Sequence, residues 1–232
     1  MATRRSSRHE ARRERERDIV DATRALFDER GMQDAPIEDI ARAVGINKAL
    51  IYRHFASKEE LFVLTVTRYL ADLGARAAEV DETADPVAQL RAMCEGYTRF
   101  CLQYPAFLDC ALSLMRRPAG ELMASVSEAV WLRLGQAMAQ CLTPLSQALA
   151  LGAERGVFAV DDPDFAANHL YTQVLGTMHL ARVGAGVRLG PGGVPEMFHI
   201  DSEAVRRACV EAAMALALNP WAHDAVGDAG VR

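Results

Sequence analysis

Three residues, Gly45-Ile46-Asn47, separate two short stretches whose apolar positions repeat at helical spacing. Before them, "PIEDIARAV" sets Ile37, Ile40, Ala41 and Val44 on one side of a helix. After them, "KALIYRHF" sets Ile51 and Phe55 four apart. Helices this short do not persist alone in water, so both apolar sides must pack against a third element. The turn chemistry is equally specific. Pro36 suits a first helical turn, and Glu38 and Asp39 sit at the positive end of the helix dipole. Gly45 permits a tight turn, Ile46 plugs its corner, and Asn47 caps the following helix. Two short helices joined by a glycine turn make a helix-turn-helix.

The flanking sequence supplies a helical context. From about Glu10 a first helix carries Ile19, Thr23, Leu26 and Arg30, with Val20 and Phe27 beside them, and Gly31 ends it. Residues 1–15 read as a basic N-terminal arm, either solvated and partly disordered or also neutralising phosphate. Ser57 and Glu60 form a capping box that opens a long helix to about Val80. "DETADP" breaks the chain before a helix over 86–103, and Pro105 and Pro118 bound a further segment. Residues 119–155 stay helical with a kink expected at Pro144. "RGVFAVDDP" is a loop, 162–183 is helical, and "GAGVRLGPGGVP" (184–195) is a flexible connection. A last helix spans 202–218, and 221–232 is a polar C-terminal tail. With no internal repeat and no alternating strand pattern, the chain reads as all-α.

Charge narrows the function. The net charge of −5 divides into +3 over residues 1–58 and −8 over the remainder, and the first 17 residues hold seven arginines against three glutamates. A basic head on an acidic body suggests that one end meets an anionic polymer. No apolar run is long enough to cross a bilayer and no secretory signal is present, so the expected location is cytoplasmic, with no membrane partner. Five cysteines without a C-x-x-C pair read as buried thiols and as neither a disulfide framework nor a metal site, with a redox switch as the lesser alternative.

The chain's two lysines, Lys48 and Lys58, both fall in "GINKALIYRHFASKEEL". In a helix-turn-helix the second helix enters the major groove and its N-terminal residues reach base edges. Asn47, Lys48, Ala49, Tyr52 and Arg53 are the polar or small positions there, and a lysine at 48 can donate to guanine. Leu50 reads either as core or as a partner for a thymine methyl. Tyr52 and His54 can donate to phosphate oxygens, and Lys58 adds a phosphate contact beside a helix N-terminus.

The run "RDIVDATRALFDERGMQDAPIEDIARAVGINKALIYRHFASKEELFVL" resembles the N-terminal domain of TetR family bacterial transcriptional regulators. "GAERGVFAVDDPD" is similar to the loop that commonly follows their long seventh helix. The resemblance implies a three-helix DNA-binding head (16–62) and a larger helical ligand-binding and dimerisation body (63–220). It places Asn47, Lys48, Ala49 and Leu50 at the base-reading start of the recognition helix, and Tyr52, His54 and Lys58 at phosphate contacts. Two departures stand out. Ala35 and Pro36 replace hydroxyl residues that cap the second helix in many relatives, and Leu50 replaces a common Thr or Ser.

The expected protein is a homodimeric repressor, paired through the helices near 162–183 and 202–218. A small, mostly apolar effector releases it from a near-palindromic operator in double-stranded DNA. The alternative is a ligand-independent activator or architectural factor with the same head. Tyr97, Phe100, Phe107, Trp131, Met138, Tyr171 and Met178 are bulky body residues that read as core and as candidate ligand contacts, and His169 and His179 are candidate polar ones. No catalytic constellation is expected, and no cofactor. "GAGVRLG" has one residue too many between its second and third glycines for a dinucleotide fingerprint and follows a helix. "HEARR" lacks a second histidine, and no G-x-S-x-G occurs.

Overall fold

The computed structural model describes the backbone of residues 2–31, 35–81 and 83–218, with side chains from Glu10 onward in those ranges. The expected tail at 221–232 lies outside the described residues. Ten α-helices appear among them: α1 (Ala2–Arg30), α2 (Ile37–Val44), α3 (Lys48–His54), α4 (Lys58–Ala77), α5 (Pro86–Gln103), α6 (Pro105–Met115), α7 (Ala119–Ser125), α8 (Glu128–Glu154), α9 (Pro163–Val183) and α10 (Ser202–Leu218). One hairpin, β1 (Ala185–Leu189) and β2 (Pro195–His199), joins α9 to α10. No described helix is long and apolar enough to cross a membrane.

The chain divides into two compact units, residues 1–72 with 104–138, and residues 73–103 with 139–232. The expected head lies wholly within the first. There Ile19 and Phe27 of α1, Ile37 and Ile40 of α2, and Ile51 and Phe55 are buried with Leu61 of α4. Tyr69 is fully buried, donates its hydroxyl to Asp28 (2.7 Å), and lies under the Arg24 guanidinium at 4.4 Å. In the second unit a core of α5, α8, α9 and α10 gathers Leu90, Leu149, Leu170, Val210 and Met214 around Phe158 of the α8–α9 loop.

Four sequence expectations need correction. The arm expected over 1–15 is helical from Ala2 onward. Arginine, glutamate and alanine favour helix by backbone propensity alone, so the segment needs no apolar stripe. The helix expected over 119–155 breaks at Val126 and Ser127 into α7 and α8, and α8 runs unbroken through Pro144. The long helix is therefore the eighth, one later than expected. The connection at 184–195 is structured: Val187 pairs with Met197 and Leu189 with Pro195, around a Gly190–Gly193 turn. Finally, the capping box closes on one side only. Ser57 Oγ accepts from Glu60 N–H (3.1 Å), but the Glu60 carboxylate turns to Ala56 N–H (2.9 Å) rather than Ser57.

Candidate nucleic-acid interface and a body cavity

The helix-turn-helix is held by backbone and by one side-chain cap. At the head of α2, Pro36 offers no side-chain cap, and its carbonyl accepts from Asp39 N–H (3.0 Å) and Ile40 N–H (3.2 Å). Main chain thus caps α2 where Ala35 and Pro36 bring no hydroxyl. At its end Gly45 adopts φ 70°, a left-handed conformation that a side chain would strain, and Ile46 N–H donates to Ala41 O (2.9 Å). Asn47 Oδ1 accepts from Leu50 N–H at 2.8 Å, which starts α3 and leaves the Asn47 amide NH₂ as the group able to face a ligand.

These caps fix which side of α3 faces outward. Ile51 and Phe55 are buried, Leu50 and His54 are half-buried, and Asn47, Lys48, Ala49, Arg53 and Lys58 are exposed. Tyr52 is 44% exposed. Lys48 Nζ donates to Glu38 Oε1 of α2 at 2.6 Å, and this hydrogen bond raises the lysine pKa and lowers that of Glu38. Asp39 is shared between Arg30 (2.8 Å) and Arg42 (2.7 Å). Arg53 and Lys58 have no ion-pair partner among the described residues. Burial, and then the charge of Arg12, hold the His54 pKa below its ordinary value, so its ring is neutral near pH 7. Its Nδ1 is buried without a hydrogen-bond partner.

One contact behind this surface has no local sequence signal. Glu60 is 6% exposed and accepts from Ala56 N–H, at the end of the recognition segment, and from Ser127 N–H (2.8 Å), 67 residues away at the start of α8. Burial pushes its pKa up, but the hydrogen bonds from Ser127 and Ala56 outweigh burial and hold the carboxyl below its usual value. Lys58 also lines, with Arg117 and Glu59, a cavity in the first unit floored by Phe27, Ile40 and Leu61.

The second unit holds a cavity of about 80 Å³, room for a few waters or one small apolar group. Leu73, Ala77 and Val80 of α4, Met93, Gly96 and Tyr97 of α5, Leu142 and Leu145 of α8, and Leu170, Tyr171 and Val174 of α9 line it. Among the described residues Arg76 is the sole charged one in the lining. The Tyr97 and Tyr171 rings stack at 5.8 Å and 19°. Burial keeps both phenols protonated and pushes the Cys94 and Cys141 thiols in the same wall up to about 12, so neither cysteine is a thiolate near neutrality.

Of the candidate ligand contacts, the cavity brings together Tyr97 and Tyr171. Phe100 is fully buried beneath the Arg76 guanidinium (5.0 Å), and Met178 is buried in α9. His169 and His179 are exposed, with the His169 ring 6.0 Å from Phe165. Phe107, Trp131 and Met138 belong to the first unit, where Phe107 packs on Tyr69 at 5.9 Å. The sequence places Glu38 at a helix dipole and Glu60 in a capping box without pointing to their contacts with Lys48 and Ser127, and gives no sign of Arg76. Gly96 between Met93 and Tyr97, a glycine inside a helix, was the one legible sign of open space.

Residues 19–64 match the model of bacterial regulatory proteins of the tetR family. The chain is 36% identical over 77 residues to the HTH-type transcriptional repressor KstR2 of Mycobacterium tuberculosis, covering 33% of this chain and 38% of that protein. It is 34% identical over 91 residues to the HTH-type transcriptional activator FasR of Mycolicibacterium smegmatis, covering 38% and 41%. The matched region thus spans about two fifths of the length of each of these two curated relatives. Over most of its length the chain is similar to the solved structure of the TetR family transcriptional regulator PfmR from Thermus thermophilus. There the TM-score is 0.56 at 26% identity, covering 84% of this chain and 96% of the other.

Proposed function

We propose that this chain, whose residues 19–64 match the tetR family model, is a TetR family regulator that acts as a dimeric, cytoplasmic, ligand-responsive transcriptional repressor. The observation that carries the DNA-reading half is the outward side of α3. Asn47, Lys48, Ala49, Tyr52 and Arg53 are all exposed on a helix whose start is fixed by a side-chain cap. Asn47 and Lys48, with Ala49 and Leu50, meet base edges in the major groove. Tyr52, Arg53, His54 and Lys58 meet phosphates, Lys58 with the help of the α4 dipole.

Two copies pair through α9 and α10. The outward side of α9 carries Phe165, His169, Thr172, Gly176, Leu180 and Val183 at three- and four-residue spacing, and that of α10 carries Ala204, Ala208, Ala212, Ala215 and Leu218. Small residues on both let backbones approach, and a two-fold pair presents two recognition helices to a near-palindromic operator. The effector enters the cavity around Tyr97 and Tyr171, whose walls are apolar apart from Arg76, the two phenols and the thiols. A ligand that prefers one arrangement of the dimer shifts the population away from the DNA-binding one. The cavity is what favours this over a ligand-independent regulator.

The test is a gel shift of the full chain on the DNA upstream of its own coding sequence, at moderate salt. A sequence-specific shift is expected, and its absence counts against the reading. Lys58→Ala weakens binding to every sequence and reduces the slope of log K against log salt by about one. A reporter fusion gives the sign, since expression that falls on removing the protein would make it an activator.

A further inference from the structure

We infer that the β1–β2 hairpin is a docking arm for a second copy of this chain; this rests on the reading that α9 and α10 pair two copies. The register sorts the hairpin into two unlike faces. Gly186, Arg188, Glu196 and Phe198 form one, and Ala185, Val187, Leu189, Pro195, Met197 and, at the base, His199 the other. The first face is satisfied within the hairpin. Arg188 pairs with Glu196 (3.3 Å) and lies over the Phe198 ring (5.7 Å), and that ring occupies the space above Gly186, where a β-carbon would sit 2.5 Å from it.

The second face is bare. Val187 is 68% exposed, Leu189 76% and Met197 72%, and Val194 in the turn adds to them. A two-stranded hairpin is marginal alone in water, and contiguous exposed aliphatic surface marks an interaction site. Its one arginine and one glutamate pair with each other, so the hairpin offers no cluster of basic groups to a phosphate backbone.

Position identifies the occupant. Ile200 N–H donates to Gly184 O (3.0 Å), closing the base of the hairpin where α9 ends and α10 begins. The outward apolar side of α9 ends at that base with Leu180 and Val183 exposed, and the exposed Val187 and Leu189 follow within six residues along the chain. The exposed aliphatic residues of the hairpin therefore follow directly on the α9 side proposed to pair. In a two-fold association each patch meets the partner's copy of the same border, so the arm of each protomer closes over the edge of the other. Leu189, Met197 and Val194 supply the flexible and branched apolar groups that such an edge accepts.

The test uses sedimentation velocity of the full chain over a concentration series, with the double variant Val187→Glu, Met197→Glu beside it and circular dichroism to verify the fold. Hydrogen exchange of the peptide 185–199 in the unaltered chain is read above and below the dimer midpoint. The arm predicts a dissociation constant raised on the order of 100-fold in the variant, and slower exchange in 185–199 once the dimer forms. An unchanged constant, or exchange indifferent to concentration while the parent dimerises, overturns the arm and leaves the helix-face dimer standing. A parent that stays monomeric throughout overturns both. If the variant loses its fold, the exchange result decides.

Discussion

The turn that orients α3 and the cavity beneath α5 are built on opposite plans. From Pro36 to Phe55 the turn and the caps lie within three to five residues of their partners: Asn47 with Leu50, Gly45 with Ala41 and Arg42, Ile46 with Ala41. The cavity draws its walls from α4, α5, α8 and α9, over residues 73 to 174. A surface coded by spacing tolerates change elsewhere in the chain, whereas an assembled cavity depends on every helix that reaches it. The exception within the head is Glu60, which reaches Ser127 67 residues away.

That exception is the sharpest way to break the contrast. Glu60→Ala removes a buried carboxylate from two backbone N–H groups, and should lower the unfolding free energy by about 3 kcal/mol in denaturant titrations. A loss below about 1 kcal/mol would make the head as local as its turn. The pH dependence has a definite sign. The folded pKa of Glu60 is depressed, so its contribution is complete above the unfolded carboxylate value of about 4.3 and disappears as pH falls through the lower folded value. The gap between parent and variant should narrow, without closing, in strongly acidic buffer.

A smaller effect belongs to the reading surface. Lys48→Ala should reduce discrimination against a changed base pair by about 10- to 100-fold in competition assays, with little change on random DNA. Equal weakening on all sequences would demote Lys48 to a phosphate contact. The smallest effect concerns the cavity. Gly96 lies inside α5 with nothing within 4 Å of an added β-carbon. Gly96→Ala should therefore raise stability by about 0.5–1 kcal/mol through helix propensity, while the methyl group takes up cavity space and reduces any thermal shift produced by an effector. A loss of stability would show the space to be already filled.

The same contrast explains what the sequence disclosed. The ends of α2, α3, α9 and α10 were legible because proline, glycine, asparagine and aspartate act on their immediate neighbours: Asp162, for instance, caps α9 by accepting from Phe165 N–H at 2.9 Å. The break at Ser127 was not, because it is stabilised by Glu60 from a distant helix. The hairpin escaped notice for a different reason. Its alternation, Val187 and Leu189 against Arg188, was present, but glycine and proline around it read as flexibility, and only cross-strand pairing with Met197 and Pro195 gives the alternation meaning. Tyr97 and Tyr171 belong to helices whose packing no local pattern specifies, and no periodicity separates a residue facing a void from one facing a neighbour.

In the proposed complex the ion pair between Lys48 and Glu38 acts as a threshold. On a random stretch of duplex the lysine already has an anion at hand, so releasing it for a passing phosphate gains little. Only a base edge with acceptors in the right place outbids the carboxylate. An exposed pair of this kind is worth at most about 1 kcal/mol, so the preference it would add for a matched sequence is a few-fold.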